Sequence, residues 1–408
     1  MKRIAVLGIT LLSATAAFSQ SRVVVTNTIP TATPVQVAPK PMATPIIVGQ
    51  PIKPAPTPQA IPQVSNLNRN GIAFSQIKSK LAEARRYLVA RPLTIASAEP
   101  VNFTTLIRVA FYDMRTRQID SYVLTKDQFL GHGLVTPVVS ANGKTLFSKT
   151  IRGNGVNTPV IITDQNGNEH YPLMVQYPRE NRGVFSEMAY YVSSHPELIT
   201  PEVVNAGKFY VRNTIDIARE QLRTMGYPIQ PKIADMAERL ATVEHVDHLR
   251  FRTELHGNIY NDIFTLFALN EGQTYRYSVS SAGAGGMVQM IAPTYRMVRA
   301  RFPNANLMPD FVEGMRNHVN ACRAMLLYMQ MTWNDLAASP SVQNALALGW
   351  ARPEHLMAAG YNSNPARLPG YINRGGQDWA TLIPRETKIY LQIWDSLERN
   401  VPMTPRKQ

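Results

Sequence analysis

The stretch Leu249–Glu271, LRFRTELHGNIYNDIFTLFALNE, runs directly into Gly272–Gln289, GQTYRYSVSSAGAGGMVQ, and this junction decides how the second half of the chain is read. Leu255, Ile259, Ile263, Phe267 and Leu269 fall where a helix would turn them toward a core. The segment is therefore expected to be mostly helical, with Glu271 as an isolated carboxylate at its C-terminal end. A carboxyl placed there loses solvent contact and faces helix-terminal carbonyls, and both effects disfavour its negative form. A carboxylic acid that keeps its proton is what a general acid at a glycosidic oxygen requires.

The residues after Glu271 carry the reading further. Ser280, Gly283-Ala284, Gly286-Met287 and Gln289 follow at fixed spacing, and glycines belong where a sugar must pass close to backbone that a Cβ would obstruct. A second group, Ala359-Gly360-Tyr361-Asn362-Ser363-Asn364-Pro365, and a third, Glu386-Thr387 with Tyr390, lie beyond it. The third opens a final helical run through Leu391, Trp394 and Leu397. Together the three groups resemble the soluble lytic transglycosylases, lysozyme-like enzymes that cut peptidoglycan glycan strands, over roughly residues 245–400.

That resemblance implies Glu271 as catalytic acid, with Ser280 positioning an N-acetyl group, Gln289 lining the cleft, and Tyr361, Asn362 and Tyr390 facing the saccharide. Gly283, Gly286 and Glu386 take structural places near the site, and no metal or cofactor is implied. Two positions depart from the family pattern: Gly272 stands where serine usually follows the acid, and Asn364 stands where glycine is usual. Asparagine can adopt the left-handed backbone that such a turn needs.

Most glycosidases use two carboxylates. Asp262 is nine residues before Glu271, about 13 Å along a helix axis, too far to act with it. The implied reaction is cleavage of the MurNAc-GlcNAc β-1,4 bond with a 1,6-anhydro-muramic product, Glu271 acting as single acid and base. The alternatives are a muramidase-type hydrolase and a non-catalytic peptidoglycan-binding component of an envelope assembly.

Composition agrees with an exported wall enzyme. Lys2 and Arg3, the apolar run Ile4–Leu12 and small residues closing at Ala17 and Ser19 read as a signal peptide over residues 1–19. The run is too short to cross a bilayer, no longer apolar run follows, and the expected location is the periplasm. The single cysteine, Cys322, excludes an intramolecular disulfide and sits in an apolar helical stripe as a small hydrophobe. The formal charge of +14 favours anionic partners, among them the carboxylates of peptide-bearing glycan. Nucleic acid is not indicated, because no compact Lys/Arg run with interleaved aromatics is present.

The fold class expected is α+β. Residues 20–63 form a Pro-rich tether, with Pro41, Pro45, Pro51, Pro54, Pro56, Pro58 and Pro62. Residues 64–180 read as a β-rich unit with a short helix over Gln76–Tyr87, an antiparallel sheet over about 98–180, and hairpin turns at Asn142-Gly143 and Asn166-Gly167. This unit, suited to contact with an envelope protein, carries no catalytic constellation, and His132 and His170 lack metal-like partners. Helix is expected to return after Pro178, giving a connecting region over 181–244, the catalytic domain over 245–400 and a basic tail over 401–408. Within it Phe311, Met315, Val319, Cys322, Leu326 and Met329 form one apolar helical face.

Overall fold

The computed structural model describes residues 72–94 and 102–407, which divide into two compact units, one ending at Ala206 and one beginning at Gly207. The expected leader and tether lie outside the described residues. The architecture is α+β: an antiparallel sheet with one long helix in the first unit, and helices throughout the second.

The first unit opens with α1, Phe74–Val89, which extends the expected helix by two residues at each end and buries Ile77, Leu81, Ala84 and Leu88 along one stripe. The sheet comprises β1 (Leu106–Asp113), β2 (Gln118–Thr125), β3 (Val135–Val139), β4 (Thr145–Thr150), β5 (Val160–Asp164), β6 (Glu169–Asn181) and β7 (Val184–Tyr191), with the short helix α2 (Lys126–Leu130) after β2. Strand order is β2-β1-β6-β5-β4-β3, with β7 also on β6, and the sheet curls until Tyr122 of β2 bridges Ser140 just past β3. The Asn-Gly pairs turn β3 into β4 and β5 into β6, with Gly143 and Gly167 at φ of 78° and 79°.

The sheet reaches further than the sequence suggests. Pro178 lies inside β6, opposite Met188 of β7, and helix begins only at Pro201. Proline is tolerated because β1 pairs with β6 no further than Gln176, so the missing N–H falls where that neighbour has ended. His132 sits exposed in a turn, while His170 is buried 3.7 Å from Asp113, which also pairs with Lys144.

α3 (Pro201–Thr224) leads into the second unit, followed by α4 (Pro231–Val243), α5 (His248–Thr253) and α6 (His256–Asn270). Beyond a glycine-rich loop come α7 (Ala292–Arg301), α8 (Phe311–Arg316), α9 (His318–Ala337), α10 (Pro340–Ala347), α11 (Pro353–Asn362), α12 (Leu368–Gly375) and α13 (Arg385–Asn400). The predicted stripe beginning at Phe311 is broken into α8 and α9 by Asn317, whose extended backbone and side chain cap α9 by accepting from Asn320 N. Met315, Cys322, Leu326 and Met329 are buried as expected.

In the expected connecting region, α4 is amphipathic, buries Ile233, Met236, Ala237 and Leu240, and packs against α9, α11 and α13. The basic tail is docked. Arg406 is 5% exposed in its side chain and reaches Asp216 at 2.6 Å and Asp235 and Glu238 at 2.8 Å, fastening the chain end across α3 and α4. Among the described residues no helix is long and apolar enough to cross a membrane.

Candidate active site

Pro231 fixes the first turn of α4, and its apolar stripe carries the helix to Val243, leaving Glu244 as the C-terminal cap. Glu244 is partly buried, and its Oε1 accepts a 2.6 Å hydrogen bond from the hydroxyl of Tyr390 on α13. The Glu244 carboxyl is raised to about 8, by burial first, with the Tyr390 bond working in the opposite direction and the nearby charge of Glu386 adding to the rise. Tyr361 and Tyr390 both have phenols pushed well above their ordinary value, first by burial and next by the charge of Glu244. Of the sequence-predicted tyrosines, Tyr390 bonds Glu244 directly and Tyr361 lies within reach of its charge.

Tyr361, in the last turn of α11, donates 2.7 Å to the carbonyl of Val288, while its ring lies edge-on to Tyr328. Asn362, the last residue of α11, accepts at Oδ1 from Thr387 Oγ1 at 2.9 Å, which joins α11 to the first turn of α13. Glu386 stands beside Thr387 in that same turn.

The glycine-rich loop supplies the facing wall. Ala284 N donates to Ser280 Oγ at 3.0 Å, and Ser280 N donates to Ala284 O, closing a turn through Gly283 at φ 75°. Gly286 has φ 67°, and a Cβ there would stand 2.5 Å from the carbonyl of Met315, so this position excludes any side chain. Gln289 takes φ 46° and its Nε2 donates to Gly286 O at 2.8 Å. Ser280 and Gln289 thus help hold the loop through their own bonds.

Glu271 departs from expectation. It caps α6 at φ 45° and ψ −124°, but its side chain is exposed, because α6 ends at the surface rather than beneath another helix. Its charge is felt by Tyr210, whose hydroxyl donates 2.9 Å to His318 Nδ1, while His318 Nε2 donates to Thr274 O. The desolvation expected of Glu271 is found at Glu244.

The signal for Glu244 was available in the sequence: an apolar helical stripe from Ile233 to Leu240, opened by a proline and closed by a glutamate. Asp262, the other acid considered, is paired with Arg250 at 2.8 Å. Cys322 is buried 3.9 Å from the sulfur of Met287, and burial pushes its thiol up to about 12, the behaviour of a packing residue. Among the described residues no cluster of His, Cys, Asp or Glu is arranged to hold a metal.

The chain matches no family model, no curated protein and no solved structure. The arrangement itself has a definite chemical capacity. A carboxyl that stays protonated at neutral pH, with one oxygen fixed by a phenol, can donate a proton to a leaving oxygen and later take one back.

Proposed function

We propose that the protein is a peptidoglycan lytic transglycosylase acting in the periplasm, with Glu244, not Glu271, as its single acid and base. The observation that carries this reading is the 2.6 Å bond from Tyr390 to a partly buried Glu244 whose charge also reaches Tyr361. The resemblance in sequence supplies the substrate class, and the basic net charge suits an anionic, peptide-bearing glycan.

In the reaction Glu244 gives its proton to the glycosidic oxygen between N-acetylmuramic acid and N-acetylglucosamine as the C1–O bond breaks. Its carboxylate then takes the proton of the muramic 6-hydroxyl while that oxygen bonds to C1, closing the 1,6-anhydro ring and restoring the acid. One residue suffices because the second nucleophile belongs to the substrate. Tyr390 keeps one carboxyl oxygen occupied so that the other faces the reacting bond.

A hydrolase reading draws support from Glu386, a second carboxylate whose charge is felt at Glu244. Mass spectrometry of digested sacculi separates the two. Anhydro-muramic ends are expected; reducing muramic ends alone would make the enzyme a muramidase, and no released muropeptide would leave a glycan-binding component.

A further inference from the structure

The residue after Glu244 touches the loop that faces it. His245 is buried, and its Nε2 lies 2.9 Å from the carbonyl of Met287. A carbonyl only accepts, so Nε2 carries the hydrogen and Nδ1 is the bare nitrogen. Nδ1 has no hydrogen-bond partner. Burial lowers the imidazole to about 3, with the Met287 bond acting the other way and His318 adding to the lowering, so the ring is neutral throughout the physiological range.

The ring is also fixed in plane. It stacks face to face on Tyr275, with centroids 3.4 Å apart and 3° between planes, and Phe267 meets it edge-on at 6.3 Å. A ring held on one face and one edge cannot rotate its N–H away from the Met287 carbonyl. The bond is therefore a spacer of set length between the end of α4 and the loop.

Its position gives that spacer a consequence. Met287 O is held by His245, the chain neighbour of the acid, and Val288 O is held by Tyr361, whose phenol senses the acid. The Met287 side chain is anchored separately, against Cys322 of α9. Two successive carbonyls are thus tied to the two sides of the Glu244 environment, immediately before Gln289 turns the chain at φ 46°.

We infer that His245 is a positioning residue: its N–H sets the distance between the acid Glu244 and the Met287–Gln289 wall, and thereby keeps water from the carboxyl. This rests on the proposed role of Glu244. In the sequence His245 simply follows the glutamate that closes the apolar stripe of α4, and nothing local marks the histidine itself.

Three variants of the full chain separate the donor from the packing. His245→Phe keeps an aromatic ring on Tyr275 and removes the N–H; His245→Gln places an amide N–H near the lost Nε2; His245→Ala removes both. Carboxyl 13C NMR of Glu244 reads the site without any turnover. The expected result is a midpoint near 8 in the parent, a fall toward the ordinary carboxylate value in His245→Phe, and recovery in His245→Gln. Sacculus digestion should follow, with kcat down about tenfold in His245→Phe, KM little changed and His245→Gln restoring most of the rate, the scale of one lost hydrogen bond. A midpoint and kcat in His245→Phe equal to the parent's would overturn the inference, as would a His245→Gln no better than His245→Phe. If His245→Phe does not fold, the comparison of His245→Gln with His245→Ala decides on the same two readouts. A midpoint shift in a parent protein that cuts no wall would support the positioning role and sink the proposed reaction instead.

Discussion

Glu244 and Glu271 occupy the same kind of place, each capping the C-terminal end of an apolar helix, and their surroundings differ in nearly every other respect. The end of α4 is covered by Tyr390 of α13 and lies within the field of Tyr361 of α11; the end of α6 opens to solvent. Local sequence brings a carboxyl to a helix end, but what later packs over that end decides whether it keeps a proton. In this chain the covering residues come from more than a hundred positions downstream, in the groups around Tyr361 and Tyr390.

The sharpest way to break this comparison is to remove each acid in turn. Glu244→Gln should lower sacculus digestion by about 10²–10⁴-fold, the usual worth of a positioned acid, while Glu271→Gln stays within about twofold of the parent. The opposite pattern would return the acid to Glu271 and the sequence register. Both proteins should give circular dichroism spectra like the parent's, since neither change removes buried apolar surface.

Stability offers a second contrast of opposite sign. Folding raises the Glu244 carboxyl from an ordinary 4.5 to about 8, through burial first, so the native state holds a proton that the unfolded chain releases. This preference is fully present below about 4.5 and is lost as pH rises through about 8. Glu244→Gln removes the titration, and the variant should be more stable than the parent by about 1–3 kcal/mol at pH 8 and nearly equal to it at pH 4.5. Denaturant melts at the two pH values read the difference directly; a gap that does not grow with pH would mean that the carboxyl titrates normally.

Tyr390→Phe tests the bond that distinguishes the two acids. The phenol favours the charged form of Glu244, so its loss should move the alkaline limb of the pH-rate profile upward and reduce kcat by about tenfold. An unmoved limb would show that Tyr390 merely packs.

Much of the fold was legible, and for local reasons. The Asn-Gly turns, the stripe of α1 and the buried face of α9 each follow from residues within one turn or one helix. Pro178 lies within β6 and not at the return of helix, because its place depends on where β1 stops pairing, which no local pattern records. The tail is basic in the sequence, but its docking depends on Arg406 meeting Asp216, Asp235 and Glu238, acids well over a hundred residues away. At the site, that Tyr390 bonds Glu244 and that Asn362 joins α11 to α13 through Thr387 are tertiary facts that no local pattern records. The spacing of Ser280, Gly283, Gly286 and Gln289 identified a structured loop; it did not identify what the loop faces.

The smallest effect expected concerns the backbone of Glu271. Its φ of 45° with ψ of −124° belongs to a region that glycine enters freely and a residue with a Cβ enters at a cost of order 1–3 kcal/mol. Against this, a glycine adds unfolded-state freedom worth about 0.5–1 kcal/mol. Glu271→Gly should therefore stabilise the protein by a net of about 1 kcal/mol, with wall-cutting activity kept, whereas a catalytic carboxylate replaced by glycine would leave no activity to measure. Thermal unfolding and sacculus digestion on the same preparation test both halves. Loss of activity with gain of stability would mean that Glu271 holds its strained turn for function, and the contrast between the two helix ends would then have to be redrawn as a division of labour between two acids.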